Sequence, residues 1–211
     1  MKKAMAAIAF LALTGTAAVA AEDGPALKAG GDPAAGEELA QTCAACHGSD
    51  GNSPQAEWPN IAGQHAGYTF EQLQAFKAGE ARSNAQMAGI VADLSEQEMR
   101  DLAAFYSEQP IKIMGASDEE RVARGREIYL GGIPDKDVAS CVACHGPRGR
   151  GNPAADYPAV GGQWGEYLVT QLEAFRSGER ANDENEVMRA LAAEMTDEEI
   201  RAVSEYMGGL N

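Results

Sequence analysis

The cysteines and histidines of the chain fall into two short, matching patterns. Each consists of two cysteines three positions apart with a histidine directly after the second: Cys43, Cys46 and His47 in the first pattern, and Cys141, Cys144 and His145 in the second. Such side chains form disulfides, act as redox-active dithiols, bind zinc or attach a prosthetic group covalently. Because the chain has only these four cysteines, one chemistry should account for both patterns.

Covalent haem attachment explains the pattern best. One helical turn presents both sulfurs to the two vinyl groups of a haem, and the imidazole of the next residue then reaches the iron. Two disulfides, the usual expectation for an exported chain with four cysteines, give the histidines no role. A dithiol does not need the histidine, and structural zinc pairs are usually tens of residues apart rather than the 98 found here. The sequence therefore predicts two covalently attached haem c groups, with His47 and His145 as iron ligands.

The rest of the chain is also a repeat. Four segments of the first half match four of the second at an offset of 98 to 101 residues: 43–52 with 141–152, 58–68 with 157–167, 72–80 with 171–179, and 94–106 with 195–207. A repeat of this length predicts two copies of one small fold. We place the domains at residues 22–109 and 117–211, joined by a linker at 110–116. Nine extra residues in the second copy, around 131–138, are expected to form a surface loop.

Helix signals recur in both copies, and no long alternating run of residues indicates a sheet, so the predicted class is all-α. The predicted boundaries are a first helix starting at Asp32–Pro33, a helix from Tyr68 to Ala78 ending at Gly79, its counterpart from Tyr167 to Ser177 ending at Gly178, and capping boxes at Ser95/Glu98, Ser117/Glu120 and Thr196/Glu199. A domain of about 85 residues buries a thin core by itself. A haem in its centre would supply the missing apolar volume.

The second axial ligand of each iron is predicted to be a methionine. The one spare histidine, His65, aligns with Trp164, which excludes a repeated bis-histidine arrangement. Methionine is the other usual distal ligand of electron-transfer haems. A single methionine is more often a core residue, but Met87 and Met188 alone align with each other, in segments expected to be polar loops ahead of the last helix.

Other residues are expected around each haem. A carbonyl at Pro59 or Pro158 would accept the Nδ1 proton of the proximal histidine and fix its tautomer, although such prolines often only shape a turn. Ile61 and Val160 would lie against the ring. The candidates for pairing with the haem propionates are Arg82 and Arg180.

Residues 1–21 have the three parts of a secretory signal, with cleavage expected near Ala20 or Ala21. The apolar stretch is too short to span a bilayer, so we expect an exported, periplasmic protein without a transmembrane helix; the alternative is an uncleaved anchor. The mature chain would hold 15 basic and 32 acidic residues, a formal charge of −17. Such a surface disfavours nucleic acid and anionic lipid and suits a partner with a basic docking patch, or it simply keeps the protein soluble.

Together these motifs resemble the di-haem cytochrome c4 family, in which two class I cytochrome c domains stand in tandem. The resemblance spans nearly the whole mature chain and includes CHGPRGRGN, the Gln-Leu-x-x-Phe helices and SGERAN at 177–182. It implies Met87 and Met188 as sixth ligands and haem domains that face each other across a pseudo-twofold interface. It also implies a periplasmic electron carrier, not an enzyme, between a quinol-oxidising complex and a terminal oxidase.

Two alternatives remain at this point. A similar di-haem subunit accepts electrons in flavocytochromes such as sulfide dehydrogenase, where the partner does the chemistry. A haem enzyme such as a peroxidase would need an iron with an open position, against which the two aligned methionines argue.

Local charge predicts the order of the two reduction potentials. Directly after the haem motifs, the first copy has Asp50 where the second has Arg148 and Arg150. A reduced haem carries one positive charge less, so nearby cations raise the potential. At a distance of about 10 Å in water each charge contributes roughly 18 mV. The C-terminal haem is therefore expected to be higher by about 50 mV before salt screening.

Overall fold

A computed structural model of the chain describes residues 30–211, and within them the structure is all-α, as predicted. Only two isolated β-bridges interrupt the helices and turns of these residues. The helices are α1 (Pro33–Leu39), α2 (Ala44–His47), α3 (Ala66–Ala78), α4 (Ala85–Val91), α5 (Glu96–Ser107), α6 (Glu119–Gly131), α7 (Val142–His145), α8 (Gly165–Ser177), α9 (Val187–Ala193) and α10 (Asp197–Gly208). The predicted signal segment and its cleavage site lie outside the described residues. None of the described helices combines the length and the apolar character that crossing a membrane requires.

Helices α1–α5 and α6–α10 form two copies of the same arrangement. In each copy the first helix packs against the last, α1 on α5 and α6 on α10. The middle helix, α3 or α8, packs on the same last helix and carries the short helix α4 or α9. The sequence repeat is therefore a structural repeat of one helical unit, and in each unit the last helix is the central support.

Glycines allow the first and last helices of each copy to cross closely. A Cβ atom built on Gly36 would lie 2.1 Å from the carbonyl oxygen of Asp101, and one on Gly125 would lie 1.9 Å from that of Ala202. Both distances are far shorter than any real Cβ contact. The crossing therefore depends on a residue without a side chain at both aligned positions.

Most of the predicted helix signals are confirmed. The Asp32 side chain caps α1, and Ser95/Glu98 and Thr196/Glu199 form complete capping boxes for α5 and α10. Gly79 and Gly178 end α3 and α8 in the left-handed conformation.

Three predicted helix starts were wrong. The long helices begin at Ala66 and Gly165, two residues before the predicted tyrosines, and no side-chain cap marks these starts in the sequence. Helix α6 is capped by Asp118, not by Ser117. Ser117 instead donates from its backbone and hydroxyl to the Glu205 carboxylate, which takes it away from the helix end.

The extra segment of the second copy lies at the surface, as predicted, but it is a closed turn with buried ends. Its central residues form a 3-10 turn, Pro134–Lys136, closed by a bridge between Ile133 and Val138. Both bridge residues are buried and belong to the hydrophobic core of the second copy. Burial of these two apolar side chains anchors the turn at both ends.

The connector, residues 110–116, is hydrogen-bonded to both copies. The Asn52 side chain donates to the Pro110 carbonyl (2.9 Å) and accepts from the backbone N–H of Lys112 (2.7 Å). On the other side, the backbone N–H of Gly115 donates to the Gly208 carbonyl (3.2 Å). The connector is thus fixed to both copies by hydrogen bonds. It places the Lys112 ammonium 2.8 Å from a carboxylate oxygen of Asp50.

Candidate haem sites

The two Cys-x-x-Cys-His motifs each form one short helical turn. The backbone N–H of His47 donates to the Cys43 carbonyl, and that of His145 to the Cys141 carbonyl, both at 2.9 Å. This turn places two thiols and an imidazole next to one another, as the sequence predicts. All four cysteines are free and partly exposed, and no disulfide joins them in the structure.

The ionisation of the thiols does not suit a redox-active dithiol. Burial raises the pKa of the Cys43 thiol, and it raises that of Cys141 to about 11. A dithiol oxidoreductase instead needs a lowered thiol pKa, because the thiolate is the attacking species. The first thiol of each motif is therefore protonated at neutral pH, which does not suit dithiol exchange.

Each motif histidine is oriented by a proline carbonyl. The Nδ1–H of His47 donates to the Pro59 carbonyl, and the Nδ1–H of His145 donates to the Pro158 carbonyl, both at 2.9 Å. A carbonyl only accepts, so the proton sits on Nδ1 and the Nε2 lone pair is free for a metal. Burial lowers the pKa of both imidazoles, although the carbonyl bond raises it, and this favours the neutral form that binds metal.

Met87 lies in the first turn of α4, not in a loop as predicted. Asn84 caps this helix, and its side-chain oxygen accepts from the Met87 backbone N–H at 3.0 Å. The methionine side chain packs against a core cluster made of Ala66, Phe70, Val91, Met99 and Ala103. Cys43 and Ile61 pack on a second cluster of this copy. Leu73 and Leu94 contact both clusters and so connect the cysteine side of the domain to the methionine side.

Met188 also lies in the first turn of a helix, α9, where a loop was predicted. The Asp183 carboxylate accepts from the Arg189 backbone N–H (3.0 Å) and from its guanidinium (2.7 Å), which holds the start of the helix. The side chains of Met188, Cys141 and Val160 pack against one continuous core cluster. In the second copy, the haem-attachment residue Cys141, the predicted ring contact Val160 and the candidate ligand Met188 therefore pack against the same hydrophobic core.

Arg82 and Arg180 lie where the two copies meet, and each side chain reaches into the other copy. Each residue is only 6% exposed. Arg82 donates to the Tyr167 hydroxyl (2.9 Å), and Arg180 donates to the Tyr68 hydroxyl (2.7 Å). Within residues 30–211 neither guanidinium forms an ion pair with a protein carboxylate.

Two buried cations with neutral partners are costly, and an anionic carboxylate would offset that cost. The positive field acts on the neighbouring phenol: burial raises the pKa of the Tyr68 hydroxyl, but Arg180 and Arg82 outweigh burial and hold that pKa below its usual value. The indole Nε1 of Trp58 is also buried without a hydrogen-bond partner among the described residues. The unbalanced positive charge of the two guanidinium groups and the unpaired indole N–H of Trp58 fit haem propionates.

Sequence analysis missed a second set of contacts between the copies. The side chains of Gln64 and Gln163 bond to the backbone of the opposite copy at Ala159 and Asn60, directly after the histidine-binding prolines. Both glutamines stand at aligned positions after a glycine, which is the signal that marks them. Their partners are about a hundred residues away in the chain, so the sequence does not reveal the pairing.

Comparison with known proteins places the chain in a family. A family model described as cytochrome c matches residues 33–108 and 122–211. Cytochrome c4 of Thiocapsa roseopersicina is 45% identical over 183 residues, covering 86% of this chain and 94% of that protein. A thiosulfate dehydrogenase electron acceptor of Stutzerimonas stutzeri is 40% identical, covering 81% of this chain and 80% of that protein. The crystal structure of reduced recombinant cytochrome c4 from Pseudomonas stutzeri matches with a TM-score of 0.84 and 38% identity, covering 86% of this chain and 100% of that one.

The haem group fits the residues that the structure describes. Each copy has two free thiols on one helical turn, an imidazole whose Nε2 is available, and an aligned methionine packed on the core of the same copy. Buried guanidinium groups without carboxylate partners match the charge of the propionates. The chain therefore belongs to the cytochrome c family, among the di-haem cytochromes c4, and each of its two domains binds one haem c covalently.

Proposed function

We propose that the iron ligands are His47 and Met87 in the first domain and His145 and Met188 in the second. Thioether bonds to Cys43 and Cys46, and to Cys141 and Cys144, would hold the two rings. The assignment is supported by the free Nε2 of each histidine and by the alignment of these two methionines alone. A haem with this ligand set supplies a one-electron iron couple without an open coordination position.

Arg82 and Arg180 are proposed to neutralise haem propionates at the contact between the domains. Their buried position and their lack of carboxylate partners within residues 30–211 support this role. We expect Arg82→Gln and Arg180→Gln to lower the reduction potentials. The oxidised haem carries one positive charge more than the reduced haem, so a buried cation disfavours the oxidised state, and loss of the cation removes this effect. A matched pair, Arg121→Gln and Arg124→Gln on the exposed face of α6, should leave both potentials within about 10 mV.

The function that this architecture supports best is electron transfer by a periplasmic shuttle between a quinol-oxidising complex and a terminal oxidase. One observation carries the proposal: the loops that bear Pro59 and Pro158 each hydrogen-bond to the opposite domain, so two redox centres belong to one unit. The side chains of this unit orient ligands, exclude water and balance charge, and none of them has to bind a substrate. The acidic surface would dock on basic patches of its partners.

The test uses the purified di-haem protein and membranes that contain a quinol-oxidising complex or a terminal oxidase. The oxidised protein should be reduced by the first membranes with quinol, and the reduced protein should support oxygen uptake by the second. Both rates should fall steeply with salt, as expected for docking through opposite charges. Absence of either reaction at low salt would contradict the shuttle.

Amino-terminal sequencing of the protein from the periplasmic fraction tests export. The mature chain should start near Ala21 or Glu22.

A second candidate is the electron acceptor of a sulfur-oxidising dehydrogenase. The similarity to a thiosulfate dehydrogenase electron acceptor favours this role over the haem-enzyme alternative. In this case a partner enzyme, such as a thiosulfate dehydrogenase or a flavocytochrome sulfide dehydrogenase, would oxidise the sulfur compound. Reduction of the protein by such an enzyme with its substrate, but not by quinol and membranes, would select this candidate.

A further inference from the structure

Each domain contributes one glutamine to the haem loop of the other domain, in a reciprocal pair. Gln163 accepts from the Asn60 backbone N–H and donates to the Asn60 carbonyl, both at 2.8 Å. Gln64 accepts from the Ala159 backbone N–H and donates to the Ala159 carbonyl, both at 2.9 Å. Two bonds to one residue fix which end of each glutamine amide is oxygen. We call these contacts the glutamine clamps.

The clamp on the first domain shares a peptide unit with the bond to the histidine. The carbonyl of Pro59 and the N–H of Asn60 belong to the same peptide group. Its oxygen accepts from the Nδ1–H of His47, and its N–H donates to Gln163. A continuous hydrogen-bond chain therefore runs from an imidazole of one domain, through one peptide, to a side chain of the other.

The second domain has the equivalent series of hydrogen bonds, with the roles of the two domains exchanged. The peptide between Pro158 and Ala159 accepts from His145 and donates to Gln64. In both domains the glutamine oxygen also accepts from the backbone N–H of the next residue, His65 or Trp164, at 3.0 Å. The oxygen is thus held in place by its own domain before it meets the other one.

Hydrogen bonds in such a chain strengthen one another. A peptide that donates its N–H becomes more polarised, and its oxygen becomes a better acceptor. A stronger bond to Nδ1–H gives the imidazole more anionic character and makes it a better donor to iron, which favours the oxidised state. We propose that Gln163 and Gln64 are positioning residues that each lower the reduction potential of the haem in the opposite domain. This inference rests on the proposed ligation by His47 and His145.

The two clamps are not equal. Gln163 is 6% exposed and Asn60 is 4% exposed, whereas Gln64 and Ala159 are only partly buried. Hydrogen bonds act more strongly in a dry environment. Loss of the Gln163 clamp should therefore shift its haem more than loss of the Gln64 clamp does.

The experiment measures both potentials of the intact di-haem protein, with the haem methyl NMR signals followed during the titration to assign each one. Gln163→Leu should increase the fraction of reduced N-terminal haem at a fixed potential, by about two- to fivefold in the reduced-to-oxidised ratio. The C-terminal haem should barely respond. Gln64→Leu should raise the potential of the C-terminal haem by a smaller amount and leave the N-terminal haem almost unchanged. A shift confined to the domain that carries the substitution would overturn the proposal.

A second variant separates polarisation from a loosened interface. Gln163→Glu keeps an acceptor oxygen for the Asn60 N–H, but it loses the donor and adds a negative charge that by itself lowers the potential. For this variant the measurement is therefore the NMR shift of the His47 Nδ1 proton, which should not move upfield. A merely structural role predicts an upfield movement with both Leu and Glu. The matched control is Trp164→Phe, which removes another bond between the domains, from Nε1 to the Ser53 carbonyl (3.3 Å), and leaves the Pro59 peptide intact. This variant should leave both potentials unchanged, and a rise equal to that of Gln163→Leu would refute the inference.

A spectroscopic measurement reports the bond itself. In the reduced protein labelled with ¹⁵N-histidine, the Nδ1 proton of His47 should move upfield in Gln163→Leu, since its acceptor is weaker. An unchanged proton shift together with unchanged potentials would overturn the inference alone. If His47 and His145 are not the ligands, His47→Ala and His145→Ala would retain the low-spin spectra, and the proposed function would fail separately.

Discussion

At the residue scale, burial separates the methionines that fill the core from those that are candidate iron ligands. Met99, Met195 and Met207 are 2%, 6% and 5% exposed and lie inside the core clusters, as expected from their alignment with other apolar residues. Met87 and Met188 pack only on the edge of these clusters and keep part of their surface accessible. Of the methionines that pack on these clusters, only these two are partly exposed.

We predict that each of these two methionines is an iron ligand. Met87→Ala and Met188→Ala should each halve the weak far-red absorption band that an iron–methionine sulfur bond gives in the oxidised protein, and the double variant should lose it. Met99→Leu, a core substitution of similar volume, is the control and should keep the band. Retention of the full band in the double variant would show that other residues ligate the irons.

Carbon monoxide provides an independent measurement of the same ligation. The reduced natural protein should not bind the gas readily, because with the proposed ligands both axial positions would be filled. The Met87→Ala and Met188→Ala variants should bind it at one haem each. Rapid binding by the natural protein would instead favour the haem-enzyme alternative.

At the scale of the elements, the close helix crossings predict where a methyl group is not tolerated. Gly125→Ala places Cβ against the Ala202 carbonyl and should destabilise the C-terminal domain by about 2 kcal/mol or more. Gly131→Ala is the control, because the same helix has open space around that position. Thermal melts followed by circular dichroism measure both. Equal stability of the two variants would mean that α6 and α10 do not cross as described.

Local signals account for the elements that the sequence predicted correctly. The capping residues Asp32, Ser95 and Thr196 act within three residues of themselves, so their roles follow from the sequence alone. The Ser117 prediction failed because Glu205, far away in the chain, takes its donors. The cross-domain roles of Arg82 and Gln163 could not be predicted either, since their partners belong to the other domain. The residues that bridge the copies also recur at aligned positions, but the repeat does not show which residue of the other copy each one contacts.

At the scale of the whole molecule, the difference in charge between the domains is smaller than the sequence suggests. Lys112 from the connector pairs with Asp50 at 2.8 Å and offsets its charge, and it also holds the pKa of that carboxyl below its usual value. Arg148 and Arg150 remain exposed. The net difference falls from three charges to two, so the expected gap in potential falls to about 35 mV.

We still predict that the C-terminal haem has the higher potential. In a two-wave redox titration, Arg148→Gln combined with Arg150→Gln should lower the upper wave by about 35 mV and leave the lower wave almost unchanged. Lys112→Gln should lower only the lower wave, because it uncovers the charge of Asp50. If the arginine substitutions move the lower wave instead, the order of the two haems is reversed.

The hydrogen-bonded connector has a consequence for how firmly the two domains must hold each other. A short tether keeps its ends at an effective concentration of about a millimolar or more. The surfaces that meet through Arg82, Arg180 and the glutamine clamps therefore need little affinity of their own, and polar contacts are sufficient. A partner that tilted one domain would break these hydrogen bonds, and the two domains would stay joined. The contact re-forms without a diffusional search once the partner leaves.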